Sequence, residues 1–105
     1  MCNTAYPAAL GHAVLSRGVE EHASFASQSA RQTLQAATSY RLVLACELVA
    51  VVRALRQRGL TPAPSSPVGA AFAQAAALLD PRDEDRPLTD DVHTAAALLD
   101  TLAAT

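Results

Sequence analysis

Leu42-Val43-Leu44-Ala45-Cys46-Glu47-Leu48-Val49-Ala50-Val51-Val52 is apolar at every position except Glu47, and neither Pro nor Gly interrupts it. The uninterrupted pattern reaches back to Ser24 and forward to Gly59. Ser24 offers a hydroxyl suited to an N-cap, and Arg56, Gln57 and Arg58 precede a glycine suited to closing a helix. Between these ends Leu34, Ala37, Leu44, Leu48, Val51 and Leu55 keep a helical spacing of three and four. The pattern predicts one helix over residues 24–59, ~50 Å long at ~1.5 Å per residue and far longer than an ordinary globular helix. Its first half is amphipathic, whereas residues 42–52 are apolar on all sides, and such a helix has to be covered on all sides. A chain of 105 residues has too little material to surround that rod. The helix therefore calls for partner chains or further domains to complete its core.

Composition agrees with a helical fold. Half of the residues are hydrophobic, yet only 4% are aromatic, and Ile and Trp are absent. The apolar content is Ala, Leu and Val, which favours closely approaching helices over sheet. Every basic residue is Arg, a bias that with the Ala content reads as codon usage before function. A net charge of −2 gives no basic surface, which argues against a nucleic-acid partner. Cys2 and Cys46 have no motif spacing and read as two reduced thiols. The N-terminus lacks the features of a signal peptide, and residues 42–52 fall well short of the ~20 needed to cross a bilayer. The expectation is a soluble, cytoplasmic chain.

Outward from the long helix, residues 1–23 read as an irregular segment in which Pro7 to Leu15 can form a short helix. Residues 60–105 read as a linker and two helices. Thr61-Pro62-Ala63-Pro64 is turn-like, Ser66-Pro67 reads as N-cap and first position of a helix ending near Leu79, and Asp80 to Arg86 is a charged loop. Thr89, with Asp90 and Asp91 behind it, opens a last helix to about Ala103. The fold class is all-α, a single domain with one very long central helix and two or three shorter ones, part of a multi-helix bundle.

Glu20-Glu21-His22 is the one cluster with catalytic composition. Adjacent carboxylates repel, so burial would raise one of them toward general acid/base range, although the same residues suit a solvated helix N-terminus. His12, His22 and His93 lack metal-ligand spacing. Cys46 has an apolar setting and no nearby His to activate it as a nucleophile. Glu47, alone in its apolar run, calls for a structural ion pair with Arg31, Arg41 or an arginine of another chain.

Three stretches, in order, resemble one family. Ser16 to Arg31, with Val19-Glu20-Glu21-His22-Ala23-Ser24 and Ala30-Arg31, is similar to the C-terminal active-site strip of the histidine, phenylalanine and tyrosine ammonia-lyases, nearest to the histidine enzymes. Arg41 to Leu48 resembles the long helix that follows the strip, and Asp85-Arg86-Pro87-Leu88-Thr89-Asp90-Asp91-Val92 resembles the terminal Asp-Arg turn and last helix. The resemblance implies helices from several subunits in a central bundle, usually of a homotetramer, with Glu47 as a structural position. It implies that Glu20 is the substrate-facing, catalytic carboxylate, with Val19 beside it where the family usually has an amide, and with Glu21, His22 and Ser24 as supporting residues. A carboxylate at Glu20 suits an imidazole or ammonium group better than a bare phenyl ring.

The family's electrophile, methylidene-imidazolone, forms from Ala-Ser-Gly, and that triplet occurs nowhere in this sequence. Ala23-Ser24-Phe25 and Ala26-Ser27-Gln28 begin like it and lack the Gly. The expectation is a lyase C-terminal part that is not competent alone. It would act on an amino acid only together with an N-terminal lyase part that brings the cofactor, or as a homo-oligomer completed in that way. The alternative is a non-catalytic helical module that kept the fold for oligomerisation or partner binding.

Overall fold

The computed structural model describes residues 26–105. They form α1 (Ala26–Gln57), α2 (Pro67–Leu78) and α3 (Thr89–Ala103), with no strand among the described residues. The all-α expectation holds. The proposed cap at Ser24 and the short helix over Pro7 to Leu15 lie outside the described residues.

α1 runs 32 residues because no Pro or Gly enters it. Its end is set by Gly59, whose φ of 62° is a left-handed conformation that an L side chain resists. The Gly59 amide donates to Arg56 O at 3.0 Å and the Leu60 amide to Leu55 O at 2.9 Å. This pair of bonds is the Schellman closure, and it satisfies carbonyls that the last helical turn would leave open. α2 begins as the sequence predicts. The Ser66 hydroxyl accepts from the Gly69 amide at 3.0 Å and Pro67 occupies the first turn, where its missing N–H costs nothing.

α3 opens at Thr89 and runs to Ala103, as the sequence predicts. Thr89 lies inside the helix, Leu88 is at the cap position, and no side chain caps it. The Val92 amide bonds Leu88 O at 2.9 Å, the first bond of a helical ladder that begins at Thr89. Asp90 and Asp91 in the first turn complement the positive end of the helix instead.

The chain divides into two compact units, Met1–Tyr40 and Arg41–Thr105. The described part of the first is the N-terminal stretch of α1. The second holds the rest of α1 with α2 and α3, and its core is Ala45, Val49, Val52, Ala75, Leu79, Ala95 and Leu98. Ala45, Ala75 and Ala95 are each fully buried, so small side chains sit where the three helices meet. Leu48, Phe72, Leu88, Val92 and Leu102 pack around them.

Only one face of α1 is used in this core. Leu42, Val43, Leu44 and Val51 stay exposed, and Cys46 and Glu47 are exposed beside them. The helix that the sequence reads as requiring cover on every side is thus covered on one side within its unit.

Candidate functional site

Val19, Glu20, Glu21, His22 and Ser24 lie outside the described residues. What the structure gives is the scaffold that follows them. In the first unit, Arg31, Leu34, Gln35, Thr38 and Ser39 line an open groove of about 430 Å³ on α1. Arg31 is exposed and Leu34 is 70% exposed. The Thr33 and Thr38 hydroxyls are turned back onto the helix, donating to Ser29 O at 2.9 Å and to Leu34 O at 3.1 Å. The groove offers a guanidinium and an amide that can bind, but no paired base and nucleophile. Among the described residues no group of His, Cys, Asp and Glu could hold a metal ion.

In the second unit three arginines of α1 reach the α2–α3 segment. Arg41 donates to Asp100 Oδ1 at 2.8 Å, to Asp100 Oδ2 at 3.3 Å and to Ala96 O at 2.8 Å. Arg53 donates to the carbonyls of Arg82, Asp83 and Glu84 at 3.0, 3.0 and 3.2 Å. Arg56 donates to Ala76 O, Asp80 O and Leu79 O at 2.7, 2.8 and 3.2 Å. Arg56 thereby caps the C-terminal end of α2, where carbonyls lack helical partners and a positive charge is favoured. A planar guanidinium serves several acceptors at once in a way that a lysine ammonium cannot.

Among the described residues Glu47 forms no ion pair with Arg41 or Arg31. Glu47 is exposed and Arg41 pairs with Asp100. Arg41 and Glu47 are six positions apart on one helix, roughly 120° apart around its axis, so they project from different faces. Arg31, the other expected partner, is exposed in the first unit.

Where α2 passes into α3, a second charge cluster closes the connection. Arg82 binds Asp80 through its side chain at 2.6 Å and through its amide at 3.0 Å. These bonds hold the Asp80 carboxyl far below the usual carboxylate range, with the Arg82 side-chain bond the largest cause. Arg86 Nη2 lies 2.7 Å from Asp91 Oδ2, with both side chains largely buried. That contact is a close charge pair off the N–H direction, since Arg86 Nη2 and Nε have no aligned acceptor. Asp91 Oδ1 also accepts from the Asp80 amide at 3.3 Å. Asp80, Arg82, Arg86, Pro87, Asp90, Asp91 and Thr94 line a cleft of about 500 Å³ with Leu78. Arg82 and Arg86 are matched by Asp80 and Asp91, so these pairs order the connection, whereas Asp90 forms no ion pair among the described residues.

Sequence reading missed the roles of Arg53 and Arg56. Their acceptors are main-chain carbonyls, which no residue pattern shows. A signal was nonetheless present: Arg41, Arg53 and Arg56 sit four residues from the core positions Ala45, Val49 and Val52, on the same helix face.

Comparison with known proteins now bears on the strip and the scaffold together. The model of the family described as aromatic amino acid lyase matches residues 1–77. This chain belongs to the aromatic amino acid lyase family. It is 37% identical over 94 residues to a histidine ammonia-lyase of Sorangium cellulosum (strain So ce56), an alignment covering 90% of this chain and 18% of that relative. No solved structure matches. This lyase-family chain thus spans under a fifth of the length of the curated relative it matches. The family-model match includes Val19 to Ser24, all of α1 and most of α2. α3 lies beyond it, yet supplies Ala95 and Leu98 to the same core.

Proposed function

We propose that this chain is the C-terminal helical part of an ammonia-lyase-like protein acting on histidine or an aromatic amino acid. It would contribute scaffold helices and the substrate-facing Glu20 to a site whose electrophile lies on another stretch of polypeptide. The observation that carries this reading is the identity to a histidine ammonia-lyase over 90% of the chain. The half-covered α1 supports it, because apolar positions such as Leu44 and Val51 are left for a partner to bury, either a second copy or an N-terminal lyase part. A cytoplasmic location goes with this reading.

Glu20 would face the substrate's polar group, with Val19 as its neighbour and Glu21, His22 and Ser24 holding the strip at the entrance to α1. An ionised carboxylate there would orient an imidazole or ammonium group by a charge-assisted hydrogen bond. Methylidene-imidazolone, where present, supplies the electrophile. The residues of this chain do not fit that task, because no Ala-Ser-Gly is present.

Reconstitution tests the proposal. The chain is mixed with an upstream lyase polypeptide containing Ala-Ser-Gly, and urocanate-type or cinnamate-type absorbance is followed. Activity is expected only from the mixture, and Glu20→Ala should lower kcat/KM about tenfold or more, or ~1.4 kcal/mol in barrier. An unchanged rate in Glu20→Ala would remove the role given to that residue. Turnover by the chain alone would overturn the dependence on a second polypeptide. A mixture that assembles yet stays inactive would favour a non-catalytic helical module.

A further inference from the structure

We draw no further inference here: the strongest candidate, the cleft of about 500 Å³ between the end of α2 and the start of α3, is an acidic cluster whose two arginines are already matched by Asp80 and Asp91, and nothing among the described residues points to a ligand there.

Discussion

Gly69→Ala sets two known effects against each other, and the structure decides the sign. Replacing Gly by Ala inside a helix normally stabilises by about 1 kcal/mol. At Gly69 the added Cβ would fall onto the Ala63 carbonyl oxygen, with Ala63 C at 2.7 Å and Pro64 Cα at 3.1 Å. These are main-chain atoms, so no side-chain rotation relieves the overlap. The Ala63 carbonyl is also the acceptor for the Ser66 amide at 3.0 Å and the Ser66 hydroxyl at 2.7 Å. That hydroxyl accepts in turn from the Gly69 amide. Displacing the turn therefore disturbs the cap, worth about 1 kcal/mol, and two turn hydrogen bonds, worth about 1 kcal/mol each. The loss exceeds the propensity gain, leaving a net destabilisation of about 1–2 kcal/mol.

For a chain of this size about 1 kcal/mol lowers Tm by roughly 4–8 °C. Thermal unfolding followed by helical circular dichroism reads that shift directly. Ser66→Ala and the double substitution complete a cycle. If the new Cβ acts by displacing the cap, the double variant should lose less than the sum of the two single losses. A Gly69→Ala protein with an unchanged or raised Tm would refute the reasoning, because the helix would then have absorbed the Cβ without moving the turn.

Two neighbouring valines on α1 should behave differently. Val52→Ala, at a side chain 1% exposed, should destabilise by about 2 kcal/mol or more from lost burial and a cavity. Val51→Ala, at 52% exposure, should cost well under half of that in the isolated chain, and chemical denaturation separates the two. Arg56→Lys keeps the charge but loses the fork that serves three carbonyls. It should cost about 1–3 kcal/mol, with faster amide exchange near the end of α2; unchanged exchange would remove the capping role.

Acid should destabilise in a defined window. Asp80 and Asp100 are held below the ordinary carboxylate range, chiefly by hydrogen bonds from Arg82 and Arg41. A lowered folded-state pKa stabilises fully above the unfolded value, and that stability is lost as pH falls below about 4. Acid titration of stability should therefore be flat near neutrality and fall below that point, with a smaller fall in Asp100→Asn. An equal fall in that variant would show that the Arg41 pair contributes nothing measurable.

The elements legible in the sequence are those set by local chemistry. Gly59 and Ser66-Pro67 end and begin helices through backbone conformation and capping, and both act within a few residues. Thr89 opens the last helix as read, since Asp90 and Asp91 behind it suit a first turn, although the cap position falls on Leu88 with no side-chain cap. Burial was less legible. Glu47 stands in an apolar run, yet which face of α1 meets α2 and α3 depends on where Ala45, Val49 and Val52 find Ala75 and Ala95. Arg53 and Arg56 were illegible as clamps for a related reason, since carbonyls of any residue type would serve them. The strip Val19 to Ser24 was legible only through its resemblance to a family, and the match over residues 1–77 supports the family rather than any one side chain's role.

The partition of α1 bears most directly on function. A helix whose apolar residues all faced α2 and α3 would belong to a self-sufficient domain. Here Ala45, Val49 and Val52 are buried against those helices, whereas Leu42, Val43, Leu44 and Val51 remain exposed, and the three arginines fasten the buried face rather than the exposed one. Scattered apolar residues on a surface need no explanation, but Leu44 and Val51, seven positions apart, fall on one face of the helix. Glu47 lies among these exposed residues, where burial by a partner would require an opposing positive charge to accompany it. The partner proposed above to cover α1 would be apolar along Leu44 and Val51 and basic opposite Glu47. Glu47→Gln should then leave the isolated chain's stability nearly unchanged while weakening the proposed assembly with an upstream lyase polypeptide. A substitution that instead destabilised the isolated chain would place the partner of Glu47 within it, contrary to the exposed position of that side chain.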